Sequence, residues 1–128
     1  MKNLTLTICL TLAVLLGSVG TSWGADFQKG VAAYDSGDFA TALREWRPLA
    51  EKGVASAQFN LGWMYDKGYG VKQDNVYAHM WGNIAASNGH EEGGKLRDAV
   101  AKEMTATQIE KAQNLARECV RKKYKGCW

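Results

Sequence analysis

The sequence predicts an all-α protein built from short helices packed side by side in pairs. Two observations predict it: the chain repeats itself at an interval of 36 residues, and apolar residues within each copy recur at steps of three and four. No segment shows the sustained alternation of a strand. The repeat aligns Asp38 with Asp74, Ala42 with Ala78, Ala50 with Ala86, and Gly53 with Gly89. We therefore predict two repeats, over about residues 38–73 and 74–104.

The aligned residues mark the ends of the first helix of each repeat. Asp38 and Asp74 precede apolar runs, where a carboxylate accepts hydrogen bonds from the free amides of the first turn. Gly53 and Gly89 follow the same runs, where glycine tolerates the left-handed conformation that ends a helix. The spacing thus predicts a first helix between each pair.

Two tryptophans, Trp46 and Trp81, lie within these runs and are expected to fill the space between neighbouring helices. Pro48 also lies in the first run, where its ring removes the hydrogen bond to the Arg44 carbonyl. Because the apolar pattern continues to Ala50, we expect a kink at this proline and not the end of the helix.

A partner helix is predicted in each repeat, over residues 55–66 and 91–104, with a glycine-rich loop at 67–71 between the repeats. Residues 27–34 form a short lead-in helix. The last helix, over about 105–123, caps the other end and opens at Thr105 and Gln108, which have the spacing of a capping box.

The N-terminal residues 1–24 have the pattern of a secretory signal peptide. Lys2 gives a positive start, residues 4–16 are largely apolar, and small residues lead to a predicted cleavage after Gly24. The alternative is a buried N-terminal helix. Export predicts a periplasmic or secreted protein whose single domain spans residues 25–128.

Two cysteines, Cys119 and Cys127, remain after Cys9 leaves with the signal peptide, and an even pair in an exported protein indicates a disulfide. In one straight helix their Cα atoms would lie about 12 Å apart, whereas a disulfide needs about 4.4–6.8 Å. The helix must therefore end between them, with Gly126 as the flexible position. Two unpaired thiols are the alternative, and no metal site is predicted.

Basic residues are concentrated at the C-terminus. From Arg117 onward the chain has five basic residues and one acidic residue, Glu118. This segment either complements the dipole of the last helix or contacts an anionic surface such as lipid headgroups. Without the signal peptide the net charge is only +2, because Lys2 leaves 15 basic against 13 acidic residues, so nucleic acid is not a predicted partner.

Catalytic patterns are not evident in the sequence. His79 and His90 lie on different predicted segments, and the motifs of zinc hydrolases, serine hydrolases and phosphate-binding loops are missing. The neighbouring pair Glu91-Glu92 points in different directions on a helix and suits the positive helix start better than acid–base work. We predict no catalytic residues, no metal and no cofactor.

Five residues are predicted to bind a partner protein. Trp63 lies outside the apolar face of its helix, and exposed tryptophans and arginines are common interface anchors. Arg47 and Asn83 are equivalent in the two repeats and are predicted to line one groove, with His79 and Asn60 nearby. The alternatives are that Trp63 packs on the lead-in helix and that the other four are ordinary polar residues.

Several runs carry a family resemblance. Residues 38–43, 46–53, 57–58 and 61–65, followed by 68–71, Asp74 and 78–81, resemble the Sel1-like repeat family. The likeness spans about residues 27–104. Departures are Gly82, where a bulky aromatic is usual, and Gly93-Gly94, where alanines are usual. The resemblance implies a right-handed α/α superhelix of antiparallel helix pairs, related to tetratricopeptide repeats, with two repeats and a capping helix at each end.

The resemblance also implies a function, because members of this family act mostly as adaptors. We therefore expect a non-catalytic protein-binding module of the bacterial periplasm or exterior, an adaptor or an inhibitor or immunity-like protein. One alternative is a cell-wall or β-lactam-related hydrolase, since some disulfide-bearing relatives have been linked to penicillin binding. The other is an envelope-associated protein that contacts the surface through its basic C-terminus.

Overall fold

The computed structural model describes residues 24–128, so the predicted signal peptide lies outside the described residues except for Gly24. Within that range the protein consists of six α-helices and contains no strand, which confirms the predicted all-α class. No helix among these residues has both the length and the apolar character that crossing a membrane requires. The helices are α1 (Phe27–Asp35), α2 (Phe39–Glu51), α3 (Ala55–Lys67), α4 (Asn75–Ser87), α5 (Glu91–Ala101) and α6 (Ala106–Arg121).

The predicted helix ends are confirmed at the repeated positions. The Asp38 carboxylate accepts from the backbone amide of Thr41 at 3.2 Å, and the Asp74 carboxylate accepts from the first amides of α4. Gly53 and Gly89 have φ values of 86° and 95°, in the left-handed region that favours glycine. The two repeats therefore begin and end their first helices by the same chemistry.

Two other predictions concern helix length. The helix α2 continues past Pro48 to Glu51, as the apolar pattern indicated. The helix α5 was predicted to reach Met104, and this was wrong, because it ends at Ala101. There the amides of Lys102 and Glu103 bond to carbonyls three residues earlier, at 3.3 and 3.0 Å, which tightens the last turn and ends the helix.

The core of the protein contains both equivalent tryptophans. Trp46 is 3% exposed and Trp81 is fully buried, which confirms that they fill the space between helices. The side chain of Gln58 is fully buried too. Its amide donates to the carbonyl of Ala50 at 3.0 Å and accepts from Asn88 at 2.8 Å, so it ties the ends of α2 and α4 together.

Glycines allow α3, α4 and α5 to pack with their backbones in contact. A Cβ atom added to Gly82 would lie 2.8 Å from the carbonyl oxygen of Gly93, and one added to Gly93 would lie 2.8 Å from the carbonyl oxygen of Gly82. A Cβ on Gly62 would approach the amide of Gly82 to 3.2 Å. The two departures from the family pattern, Gly82 and Gly93, are therefore the residues that let α4 and α5 approach closely.

The C-terminal helix α6 packs mainly against α4 and begins with the predicted capping box of Thr105 and Gln108. After α6, Cys119 and Cys127 are joined in a disulfide with Cα atoms 5.7 Å apart. The chain reverses through Gly126, as predicted, but also through Lys123 and Tyr124, which have left-handed φ values of 55° and 66°. The disulfide holds the last residues against the helices.

Candidate functional site

A concave feature rich in aromatic side chains lies between α1 and α3, with α2 as its floor. It has a volume of about 330 Å³. We call it the aromatic groove, and it is lined by Val31, Tyr34, Trp46, Phe59, Asn60 and Trp63. Two of the predicted partner-binding residues, Trp63 and Asn60, therefore line the same groove.

The floor of the aromatic groove is set by Trp46. Its indole N–H donates to the carbonyl of Phe27 at 3.1 Å, which ties α2 to the first turn of α1. The ring lies over Gly30, where an added Cβ atom would come within 2.3 Å of Nε1. A glycine at this position of α1 is therefore required for the indole to occupy its place.

One wall of the groove is held by Trp63. Its indole N–H donates to the Tyr34 hydroxyl at 2.9 Å, so the alternative prediction, that Trp63 packs on the lead-in helix, is the one that describes its position. The ring is half-buried, and the Lys67 ammonium lies 4.6 Å from its centroid. Trp63 thus keeps an accessible face while its orientation is fixed by hydrogen bonding.

The same wall continues toward the second repeat through Phe59. The Phe59 ring stacks on the imidazole of His90 at 4.6 Å, and its centroid lies 6.5 Å from that of Trp63. Asn60 follows Phe59 and contributes an amide that both donates and accepts hydrogen bonds. An apolar groove with one such amide at its edge can hold an apolar side chain and pair with the backbone beside it.

Arg47 lies elsewhere. Its guanidinium is 5.3 Å from the centroid of the C-terminal Trp128 ring, which in turn stacks on Trp81 with centroids 6.4 Å apart. Arg47 also lies close enough to the Tyr65 hydroxyl to lower its pKa, although burial, the larger effect, raises that pKa. The surface near Arg47 is therefore covered by the tail that the disulfide holds in place.

Asn83 has other contacts than Arg47, and the expectation that the two line one groove stays a prediction. The Asn83 side-chain carbonyl accepts from Arg97 of α5 at 3.0 Å. Asn83 also borders a separate cavity of about 570 Å³ between α4 and α6. On this side of the molecule α6 packs on α4, and the tail places Trp128 on Trp81.

His79 is buried, with 3% of its surface exposed, which corrects its prediction as a partner-binding residue. Burial lowers the pKa of the imidazole, the nearby Arg97 guanidinium lowers it further, and Asp98 opposes both. No hydrogen-bond partner for Nδ1 exists among residues 24–128. His79 is a neutral packing residue in the interior between α4 and α5 and cannot contact a partner without rearrangement.

The groove wall on α1, and Phe59 in the wall on α3, were not predicted as binding residues from the sequence. Val31 and Tyr34 are three residues apart and so share one side of α1, and Phe59 and Trp63 are similarly four apart on α3. This aromatic spacing was a usable signal. In the part of the chain that the structure describes, no three histidine, cysteine, aspartate or glutamate side chains come together in a way that could hold a metal ion.

Comparison with known proteins identifies the repeat. The sequence model of the Sel1 repeat family matches residues 55–90, which comprise α3, the following loop and α4. Residues 55–90 of the chain therefore form a Sel1 repeat. No curated protein and no solved structure matches it.

The family supports a general function. Sel1 repeats generally mediate protein–protein interactions and are generally not catalytic. Trp63 and Asn60 lie within the matched segment. The opposite wall, on α1, lies outside it. The aromatic groove thus combines residues of the repeat with residues of the lead-in helix.

Proposed function

We propose that this Sel1-like repeat protein is a non-catalytic binding module exported to the periplasm or the cell exterior. Its aromatic groove would hold a segment of another protein. The observation that carries the proposal is the groove itself, whose volume of about 330 Å³ is within the range of roughly 300–1,000 Å³ typical of binding pockets.

The fixed orientations of the two groove tryptophans support a binding role for the groove. The indole N–H groups of Trp46 and Trp63 each donate to a group on α1, so both rings are held before any partner arrives. A surface arranged in advance loses less conformational entropy on binding. This arrangement therefore favours affinity for a partner.

The groove also indicates the kind of segment it would accept. Aromatic and aliphatic walls favour a bulky apolar side chain, and the Asn60 amide is suited to pair with the peptide backbone next to it. The occupant is then an extended or helical segment of another protein with at least one large apolar residue. Whether that protein is inhibited or only held distinguishes an inhibitor from an adaptor.

The binding test uses a partner that has been identified and purified. The protein is immobilised, partners are captured from a periplasmic extract of the source cells, and the captured protein is produced and titrated by calorimetry. We expect Asn60→Lys, which places a charge at the groove edge, to weaken binding by about tenfold or more.

Gln113→Lys is the matched control, because Gln113 is exposed on α6, away from the groove. It should bind as the wild type does. Equal affinity of Asn60→Lys and the wild type, with both folded by circular dichroism, would contradict the proposed site. Loss of a captured hydrolase's activity at one-to-one stoichiometry would identify the narrower, inhibitor function.

Export is supported by the bond between Cys119 and Cys127, since structural disulfides persist mainly in oxidising compartments. The intact mass of the protein recovered from cell fractions tests it. We expect a mass that begins at Ala25, in the periplasmic or external fraction. An uncleaved chain in the cytoplasm would contradict export and leave the binding proposal to its own test.

A further inference from the structure

A second concave surface lies between α4 and α6 and has a different chemical character. We call it the basic groove. It has a volume of about 570 Å³, and the residues that define its character are Asn83, Ile84, Asn114, Arg117, Val120 and Arg121. It shares no lining residue with the aromatic groove.

The floor and one edge of the basic groove are apolar. Ile84 of α4 is 2% exposed and lies at the bottom, whereas Val120 of α6 is 51% exposed. Val120 is one of only three large apolar side chains that are exposed among residues 24–128. An exposed valine beside a concave apolar floor is an unpartnered hydrophobic contact that a ligand could cover.

The rim of the groove is positively charged. Arg117 and Arg121 are four residues apart on α6, so they project from the same side of the helix. One acidic residue, Glu118, also lines the groove, and Lys122, Lys123 and Lys125 follow directly in the chain. The local potential is therefore positive in and beside the groove.

Amide groups at the rim are already oriented by arginines. The Asn83 carbonyl accepts from Arg97, and the Asn114 carbonyl accepts from Arg117. These bonds leave amide N–H₂ groups as donors at the rim, beside the guanidinium groups. Guanidinium and amide donors together suit carboxylate acceptors.

We propose that the basic groove binds an acidic segment of another protein, with carboxylates on Arg117 and Arg121 and an apolar side chain between Ile84 and Val120. Two features favour a peptide over an anionic membrane. The groove is a cavity with a buried apolar floor, which a broad headgroup surface would not fill, and its arginines suit pairwise recognition of carboxylates.

The test uses a short peptide of alternating glutamate and leucine as the probe, with a lysine–leucine peptide of equal length as the charge control. The protein is used in the form recovered from the cell, with isotope labels on its methyl groups for NMR. At millimolar peptide, we expect the acidic probe to shift the methyl signals of Ile84 and Val120 and the lysine probe to leave them unchanged. No shift of these signals with the acidic probe would overturn the proposal.

Charge variants distinguish binding in the basic groove from general electrostatic attraction between the peptide and the protein. Arg117→Gln combined with Arg121→Gln should weaken binding of the acidic probe by about tenfold. Lys102→Gln combined with Lys111→Gln removes the same charge from exposed positions outside the groove and should change affinity by less than about twofold. Equal losses in the two double variants would overturn the assignment to the groove.

Vesicles of phosphatidylglycerol provide the membrane arm of the test. We expect the protein to cosediment only weakly with these vesicles. Replacing Arg117 and Arg121 by glutamine should reduce this cosedimentation no more than the double variant Lys122→Gln with Lys123→Gln does. Strong vesicle binding that depends on Arg117 and Arg121, without methyl shifts from the acidic peptide, would assign the surface to anionic lipid instead. The aromatic groove plays no part in these outcomes, so this proposal and the proposed function fail independently.

Discussion

At the scale of single residues, the presence or absence of one methyl group decides how closely the helices pack. Gly93 faces α4, and a Cβ atom there would lie 2.8 Å from both the Gly82 carbonyl oxygen and the Ala85 Cβ atom. A Cβ atom added to the adjacent Gly94 would make only ordinary van der Waals contacts, the nearest being with the Ala86 Cβ atom at 3.6 Å. Of these two neighbouring glycines of α5, Gly93 is therefore required for close packing against α4, whereas Gly94 is not.

We predict opposite effects of the same substitution at these two positions. Gly93→Ala should lower the free energy of unfolding by about 1–3 kcal/mol, because the new methyl group forces α4 and α5 apart. Gly94→Ala should raise it by up to about 1 kcal/mol, because alanine is the better helix former and has room. Urea denaturation measures both, and destabilisation of equal size in the two variants would contradict the close packing of α4 and α5.

His79 gives a prediction about pH. Its pKa in the folded protein is lowered from 6.5, first by burial and then by Arg97. Below about pH 6.5 the unfolded chain takes up a proton that the folded protein does not, so stability should fall as pH decreases through that range. Above it, His79 contributes no pH dependence.

The measurement compares the free energy of unfolding of the wild type and His79→Gln between about pH 7 and about pH 5.5. We expect a smaller decrease in the variant, because it has no imidazole to protonate when unfolded. Identical slopes would show that His79 is not buried in a neutral form.

Single residues also show what the sequence can and cannot predict. Asp38 and Gly53 were informative because capping depends on neighbours along the chain. The burial of His79 was not predicted, since it depends on how closely Gly82 and Gly93 bring α4 and α5 together. The left-handed conformation of Tyr124 likewise had no local signal in the sequence.

At the scale of helices, the molecule differs most from a regular array at its C-terminal end. The helix α6 packs mainly on α4, and the tail after it reverses to place Trp128 on Trp81 and beneath Arg47. Repeat arrays need terminal units that cover their last apolar face. In this protein α6 and the tail together have that role, and the disulfide joins them.

We predict that reducing the disulfide loosens this cap without unfolding the repeats. The bond closes a loop between Cys119 and Cys127, a separation of 8 residues, so its removal should cost up to about 2–3 kcal/mol. Reduction should also release Trp128 from Trp81 and change tryptophan fluorescence before global unfolding. Thermal melts and emission spectra with and without reductant measure the two effects.

The double variant Cys119→Ser with Cys127→Ser is the control for that experiment. It should melt like the reduced wild type and should not respond to reductant. An unchanged melting temperature of the wild type on reduction would show that the bond contributes nothing to holding the tail.

The helices themselves were largely predictable. The periodic apolar spacing identified all six, because an amphipathic pattern reports which side of a helix is buried. The end of α5 at Ala101 was missed, since no glycine or proline follows it and only tight turn bonds at Lys102 and Glu103 close the helix. Contacts between helices that are not neighbours in the chain, such as α6 on α4, could not be predicted from the spacing of apolar residues within each helix.

At the scale of the whole molecule, the described residues form a short stack of helix pairs that carries two grooves of different chemistry. The aromatic groove joins the lead-in helix to the Sel1 repeat, and the basic groove joins the second repeat to α6. Of the predicted binding residues, Trp63 and Asn60 fall in the first and Asn83 in the second. Both grooves depend on an end helix, so the caps complete the proposed binding surfaces as well as the core.

The most direct test of the account observes the indole N–H signals of the tryptophans by NMR while the purified partner is added. Trp46 and Trp63 line the aromatic groove, whereas Trp81 and Trp128 lie together at the tail. We expect the signals of Trp46 and Trp63 to move in proportion to occupancy while those of Trp81 and Trp128 stay in place. Saturable binding that moves only Trp81 and Trp128, and leaves Trp46 and Trp63 unchanged, would contradict the central claim.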